Sequence, residues 1–428
     1  MSNEGSESIG AGRVPDAEEL QCLPVHERAD RLAGLIRRHL GEVLHRSPAS
    51  INDDTPFAAL DPAWTGLAGV RAFFYPVVKN VIEQALKRTF YRHELFKGGT
   101  SEYRDTIRQL ATYLAETMVI PAPTRSFADP HEGASWGWVL PTTRPSERVP
   151  PIALILSSPR SGSTLLRAML AGHPDLMAPP ELHLLMFESM AERKKQLAVT
   201  GCHWMSFGLI HTFEMAGATT EEAAQRLAQT EADDVPIPEF YRMLQQQAGG
   251  RTLVDKSTMY SMHPAWLQRA EEVFDDPKYL HLTRHPYAVI ESFVRLHFHK
   301  TSVGPHFGIS DENAWLFAEK WWAVSYSNSV RFLETVARDR QYTLRYEDLV
   351  TDPEGMMREV CAFLNIPFHS AVLDPYAGSR KQDGLGDPNL LTRNRIEPEL
   401  ITAWRERRPP LALSPFTRRV AQTLGYDL

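Results

Sequence analysis

The chain of 428 residues has little cysteine, no long apolar run and no surplus of positive charge, and each shortage removes a class of protein. Cys22, Cys202 and Cys361 lie far apart, with neither the spacing of a metal site nor the density of a disulfide framework. No metal is expected, and a reducing cytoplasm is the expected compartment. Residues 1–20 carry Glu4, Glu7, Asp16, Glu18 and Glu19 against Arg13 alone, without the apolar stretch a signal peptide needs. Nowhere do apolar residues persist for the roughly twenty positions of a membrane span. With 46 Lys and Arg against 53 Asp and Glu the net charge is −7. General nucleic-acid binding is therefore not expected, and any anion site must be a local gathering of cations.

One stretch supplies such a gathering. Ile152-Ala153-Leu154-Ile155-Leu156 is apolar, Ser157-Ser158-Pro159-Arg160-Ser161-Gly162 is a polar turn, and Ser163-Thr164-Leu165-Leu166 opens a helix-like run. A strand that turns through small hydroxyl residues into a helix presents unpaired N–H groups, with the helix dipole behind them. Such a nest suits an anion, above all phosphate. The turn lacks the Gly-Lys-Ser/Thr of the nucleoside-triphosphatase loop, because Ser163 and Thr164 follow Gly162. Arg160 still supplies positive charge, and Ser161, Ser163 and Thr164 supply hydroxyls. The plainer reading is a strand-to-helix turn with a surface arginine, and this stretch alone does not decide between them.

The length suits one large and one smaller domain. Residues 1–20 read as a disordered acidic tail. In 26–44, Leu32, Leu35, Ile36, Leu40, Val43 and Leu44 follow helical spacing, and further stripes at 73–86 and 107–118 make 21–120 a mainly helical region. Residues 121–150 read as a proline-rich linker or arm, part of which Trp136 and Trp138 should dock. Within 151–428, strand candidates at 252–254, 279–282 and 342–346 alternate with helical segments such as 186–197 and 221–228. The expected fold is α/β, a parallel sheet with helices on both faces and ligand-binding loops beyond the carboxyl ends of its strands.

A second strand, turn and helix spans 281–292, with Arg284 at the strand end and Ser292 about two turns into a helix that starts near Pro286. Each residue alone reads as ordinary surface or helix material. Together with Pro159-Arg160-Ser161-Gly162-Ser163-Thr164, with Tyr346-Glu347-Asp348-Leu349, and with Gly384-Leu385-Gly386-Asp387-Pro388-Asn389, they form an ordered set over residues 151–428. That set resembles the sulfotransferases that use 3′-phosphoadenosine 5′-phosphosulfate (PAPS), in the style of bacterial polyketide-type and protein-tyrosine enzymes. The resemblance implies a P-loop-like fold. Arg160 to Thr164 would form the phosphosulfate loop, Arg284 and Ser292 the 3′-phosphate pair, Tyr346 an adenine contact, and Gly384, Gly386 and Asn389 a closing loop. It implies PAPS as co-substrate, 3′-phosphoadenosine 5′-phosphate (PAP) as product, and transfer to an acceptor hydroxyl.

Sulfuryl transfer builds negative charge on a bridging oxygen, which Arg160 and Lys256 are candidates to stabilise. The alternative for Lys256 is a surface pair with Asp255. An alcohol needs a base, and the resemblance points to Glu181 after the turn His173-Pro174, with His183 as the competitor. The run His297-Phe298-His299-Lys300 lacks the further ligands of a metal site. Residues 23–61 also resemble the start of a polyketide acyl carrier domain, but Pro62 stands where that family carries its modified serine. A helical cap, a relic and a docking module are the open readings. The acceptor expected is a small or carrier-tethered lipid-like or polyketide-like hydroxyl compound. The rivals are a nucleotide kinase or triphosphatase with a degenerate loop, and a non-catalytic nucleotide-binding dock. Oligomeric state is left open.

Overall fold

The computed structural model describes residues 20, 23–44, 46–60, 106–117, 138–200, 202–296, 313–378, 394–407 and 412–428. The stripe at 73–86, Pro62, Trp136, the histidine-rich run at 297–307 and the segment 384–389 lie outside the described residues. The chain divides into two compact units, with the break near residue 121.

In the first unit, helices α1 (Val25–Val43) and α2 (Ile107–Thr117) bury one stripe each. Leu32, Leu35, Ile36 and Leu40 share a core with Ile107, Leu110, Ala111 and Leu114. The i, i+3, i+4 spacing of these residues puts them on a single helix face. Arg28 is buried beside that core and donates to the carbonyls of Leu20, Leu23 and Ala115 at 2.7 to 3.0 Å. An arginine at the carbonyl end of α2 satisfies acceptors the helix leaves open.

The second unit is built on a parallel sheet of β1 (Ala153–Leu156), β2 (Leu176–Met177), β3 (Thr252–Asp255), β4 (Lys278–Thr283) and β5 (Gln341–Arg345), in spatial order β2-β3-β1-β4-β5. β1 pairs through Ala153 with Val254 on one side and Lys278 on the other. Successive residues of β1 face opposite ways. Ala153 and Ile155 pack with Leu166, Met169, Val350 and Met357, whereas Leu154 and Leu156 pack with Phe240, Tyr241, Trp266 and Trp321. Both faces are covered, so the strand is apolar throughout instead of alternating. Helices α3 (Ser163–Leu170), α4 (Phe207–Met215), α5 (Ile237–Gln247), α6 (Pro286–Arg295), α7 (Ala314–Leu333) and α8 (Tyr346–Thr351) carry the residues that matter below. Since the chain leaves the central β1 first to one side and then to the other, the turns after β1, β3, β4 and β5 open at one edge.

Among the described residues no helix is long and apolar enough to cross a membrane. Residues 138–150 belong to the second unit, with Trp138 and Val149 in its core. Trp138 is buried edge-on to Phe187, and Val139 exchanges hydrogen bonds with the Gln196 amide at 2.8 and 3.1 Å. The helix expected over 186–197 runs instead over Met190–Thr200, because the backbone before it is held by other partners. Tyr346 starts α8 instead of ending β5.

Candidate active site

The turn after β1 is shaped by two left-handed residues, Arg160 at φ 66° and Gly162 at φ 91°. A side chain at Gly162 would be excluded twice, by its φ and by the Tyr346 ring, whose Cδ2 would lie 2.2 Å from an added Cβ. Alternating αR and αL residues gather backbone N–H groups into a concave nest. Ser161 is buried, its Oγ 2.7 Å from the Tyr326 hydroxyl, which also reaches the Leu282 carbonyl at 3.0 Å. The loop is thereby pinned to β4 and to α7. Ser163 and Thr164 begin α3 directly behind it.

Arg160, Arg284 and Ser292 converge, although the last two lie more than 120 residues after the first. Arg284 donates from Nη1 to the Arg160 carbonyl at 2.8 Å, and Arg160 Nε lies 3.4 Å from Ser292 Oγ. The Arg284 guanidinium covers the Tyr346 ring at 4.1 Å, so that ring is clamped between Gly162 and Arg284. Trp322 Nε1 donates to the Arg284 carbonyl, and the His285 N–H donates to Glu347, which also accepts from Tyr426. Four separate elements thus fix this end of the sheet.

Beside the loop, Glu181 is nearly buried and Lys256 wholly so. Lys256 Nζ donates to Glu181 Oε1 at 2.7 Å, Thr258 Oγ1 lies 3.4 Å from the same oxygen, and His183 Nε2 is 3.4 Å from Oε2. Burial alone would raise the Glu181 carboxyl, but the charge of Lys256 and the contact with His183 outweigh it and hold the group at about 2. Burial pushes Lys256 down from its ordinary value, and Glu181 opposes that shift. The surface pair of Lys256 with Asp255 does not occur. Asp255 is buried and points away, accepting from Ser257, Tyr241 and Tyr260 at 2.6, 2.6 and 2.9 Å.

Two residues of this site had no signal in the sequence. Arg167 is buried in α3, donates to the Ala178 carbonyl at 3.1 Å, and is lowered to about 10 by desolvation against the pull of Glu181. Arg167 and Arg160 both act on Lys256, so three cations gather where Glu181 is the paired carboxylate. Gly208 in α4 packs so closely that an added Cβ would sit 1.8 Å from the Glu181 carbonyl oxygen. Neither motif nor spacing distinguishes such residues from ordinary helix positions. His173 is structural, accepting from the Asp175 N–H and contacting the Pro367 carbonyl at 2.7 Å.

Comparison with known proteins agrees with this geometry. The model of the sulfotransferase family matches residues 151–370. The sulfotransferase domain of the olefin synthase of Synechococcus PCC 7002 is 42% identical, with a TM-score of 0.61, and the match covers 67% of this chain and 99% of that one. The sulfotransferase domain of the curacin biosynthetic pathway is 41% identical, also at 0.61, over 66% of this chain and 100% of that one. Among curated proteins, nodulation protein NoeE of Sinorhizobium fredii is 28% identical over 60% of each chain. The protein-tyrosine sulfotransferase of Drosophila melanogaster is 25% identical over 58% of this chain and 43% of its own. The chain therefore spans roughly half the length of these curated relatives. A cationic nest at the end of a central parallel strand, inside a family match that covers half of the sequence, makes this chain a member of the sulfotransferase family.

Proposed function

We propose that the protein transfers a sulfuryl group from PAPS to a hydroxyl of a polyketide-like acyl intermediate tethered to a carrier. The observation that carries this reading is the 2.7 Å pair of Lys256 and Glu181 beside a cationic nest. The donor is a bisphosphate with two separated anionic ends, and the chemistry of the residues suits both. Arg160 and the backbone of 161–164 would hold the phosphosulfate, while Arg284 and Ser292 would hold the 3′-phosphate, helped by Gly384, Gly386 and Asn389. Tyr346 braces the two arginine-bearing turns and would offer its remaining edge to the adenine.

In the reaction the acceptor oxygen forms a bond to sulfur as the bond from sulfur to the bridging phosphate oxygen breaks, giving a sulfate ester and PAP. Arg160 and Lys256 stabilise the charge that develops on that oxygen. Glu181 takes the acceptor proton. A carboxylate held at about 2 is a weak base, yet it is weak because Lys256 is bound to it. Turning Lys256 toward the departing phosphate releases Glu181 and raises its basicity at the moment it is needed. His183, wholly buried beside the second carboxylate oxygen, orients Glu181.

The test is transfer from labelled PAPS to hydroxyacyl pantetheine thioesters and to simple phenols, followed by intact-mass analysis. Sulfation of the thioesters supports the reading. Sulfation of phenols in preference to every acyl compound contradicts the proposed acceptor. Magnesium-dependent ATP turnover without any sulfuryl transfer contradicts the proposed reaction.

A further inference from the structure

Glu181 follows two prolines and belongs to no helix or strand, yet the chemistry proposed for it needs its carboxylate held to a fraction of an ångström. Immediately after it, Leu182, His183, Leu184 and Leu185 are buried, and their N–H groups have no ladder to join. Buried donors of this kind cost free energy unless partnered. All four find hydroxyls. Ser257 Oγ accepts from Leu182 and His183 at 3.1 and 2.9 Å, and the Tyr260 hydroxyl accepts from Leu184 and Leu185 at 2.8 and 3.3 Å. Each hydroxyl then donates its own proton to Asp255, Ser257 to Oδ1 and Tyr260 to Oδ2, where Tyr241 from α5 donates as well. The arrangement requires His183 in the left-handed region, at φ 52°. A non-glycine residue holds that conformation only where its surroundings impose it.

The sequence neighbour of Asp255 is Lys256, and adjacent residues on an extended strand point opposite ways. The end of β3 therefore reaches Glu181 twice, through Lys256 to its carboxylate and through Asp255 to the backbone behind it. Gly208 closes the other side of the same peptide.

We propose that Asp255 is a positioning residue that, through Ser257 and Tyr260, locks the backbone of residues 182–185 and so sets the Glu181 carboxylate against Lys256. The consequence for transfer rests on the reading of Glu181 as the base; the locking itself does not. Because the two hydroxyls serve different amides, each can be removed separately.

Amide hydrogen exchange at residue resolution on the full chain tests the lock. Ser257→Ala is expected to lose protection at Leu182 and His183, Tyr260→Phe at Leu184 and Leu185, and Asp255→Asn at all four, with the amides of β1 and β4 still protected. Ser257→Thr, which keeps the hydroxyl, should restore protection. In transfer assays the same losses should appear as a fall in kcat of about 10- to 100-fold, with PAP affinity and the KM for donor unchanged. Loop amides that stay protected in both Ser257→Ala and Tyr260→Phe would overturn the proposal. So would a loss of protection spread evenly over the sheet. A wild-type chain that shows the exchange pattern but transfers no sulfuryl group would remove the assigned reaction and leave the lock standing.

Discussion

The guanidinium of Arg284 donates to the backbone carbonyl of Arg160 at 2.8 Å, joining two turns that lie 124 residues apart. Arg284 bonds the Arg160 backbone while the Arg160 side chain lies 3.4 Å from Ser292 Oγ, and the Tyr346 ring packs against both Gly162 and Arg284. Two cationic strand ends thus meet in one surface, which on the proposed reading would hold both ends of an adenosine bisphosphate. Arg284→Ala should weaken PAP binding at least about tenfold, and Arg284→Lys should not rescue it, since an ammonium cannot both bond the carbonyl and stack on the ring. Fluorescence titration with PAP reads both variants, and a lysine variant equal to wild type would show that only charge matters there.

Gly162 cannot carry a side chain without moving Tyr346. Gly162→Ala is expected to lower stability by about 1–3 kcal/mol, from the strained φ and the displaced ring together. Thermal melts should show this as a lower Tm, with PAP binding weakened in parallel. A variant that melts with wild type would mean the loop and Tyr346 part easily.

The Glu181 and Lys256 pair separates binding from chemistry. Glu181→Gln should retain PAP affinity while transfer falls by about 10²–10⁴-fold, the range for loss of a general base. Lys256→Met should lose transfer as well and should leave Glu181 a buried carboxylate without its cation. For wild type, the Glu181 value of about 2 lies below the ordinary 4.5. The stabilisation from the pair is therefore full above about 4.5 and is lost as pH falls toward 2. Lys256→Met should be less stable than wild type at pH 7 but should lose less stability on acidification, because burial without the cation lets the folded chain protonate Glu181 more readily. Equal losses in urea unfolding between pH 7 and about pH 3 would contradict the pairing.

His281, buried in β4 beside Thr343 and Tyr326, is lowered by desolvation from 6.5 to about 4. The unfolded chain binds this proton more readily than the folded one. Stability from His281 is thus complete above about 6.5 and declines as pH falls through 4. Urea unfolding at pH 7 and near pH 4.5 should lose roughly 2–3 kcal/mol less in His281→Gln than in wild type. Equal losses would show that the imidazole is hydrated or paired in solution.

Much of this site was readable in the sequence because it is local. The strand, turn and helix around Arg160, and again around Arg284, are each written in about fifteen contiguous residues, and their apolar runs correspond to β1 and β4. β2 was not foreseen, since a strand of two residues, Leu176 and Met177, carries no periodicity. The alternative of a surface pair between Asp255 and Lys256 rests on their adjacency alone, whereas an extended strand turns them to opposite sides. What joins Asp255 to residues 182–185 is the placement of β3 between β2 and β1, which only the assembled sheet supplies. Arg167 reads as a helix residue until its burial beside Glu181 is known.

Isothermal calorimetry with PAP, ADP and ATP bears most directly on the central claim, that the turns carrying Arg160 and Arg284 grip the two phosphate-bearing ends of one nucleotide. PAP should bind far more tightly than ADP or ATP, without magnesium, and Arg284→Ala should abolish that preference. Binding of ATP or ADP equal to or tighter than PAP would contradict it.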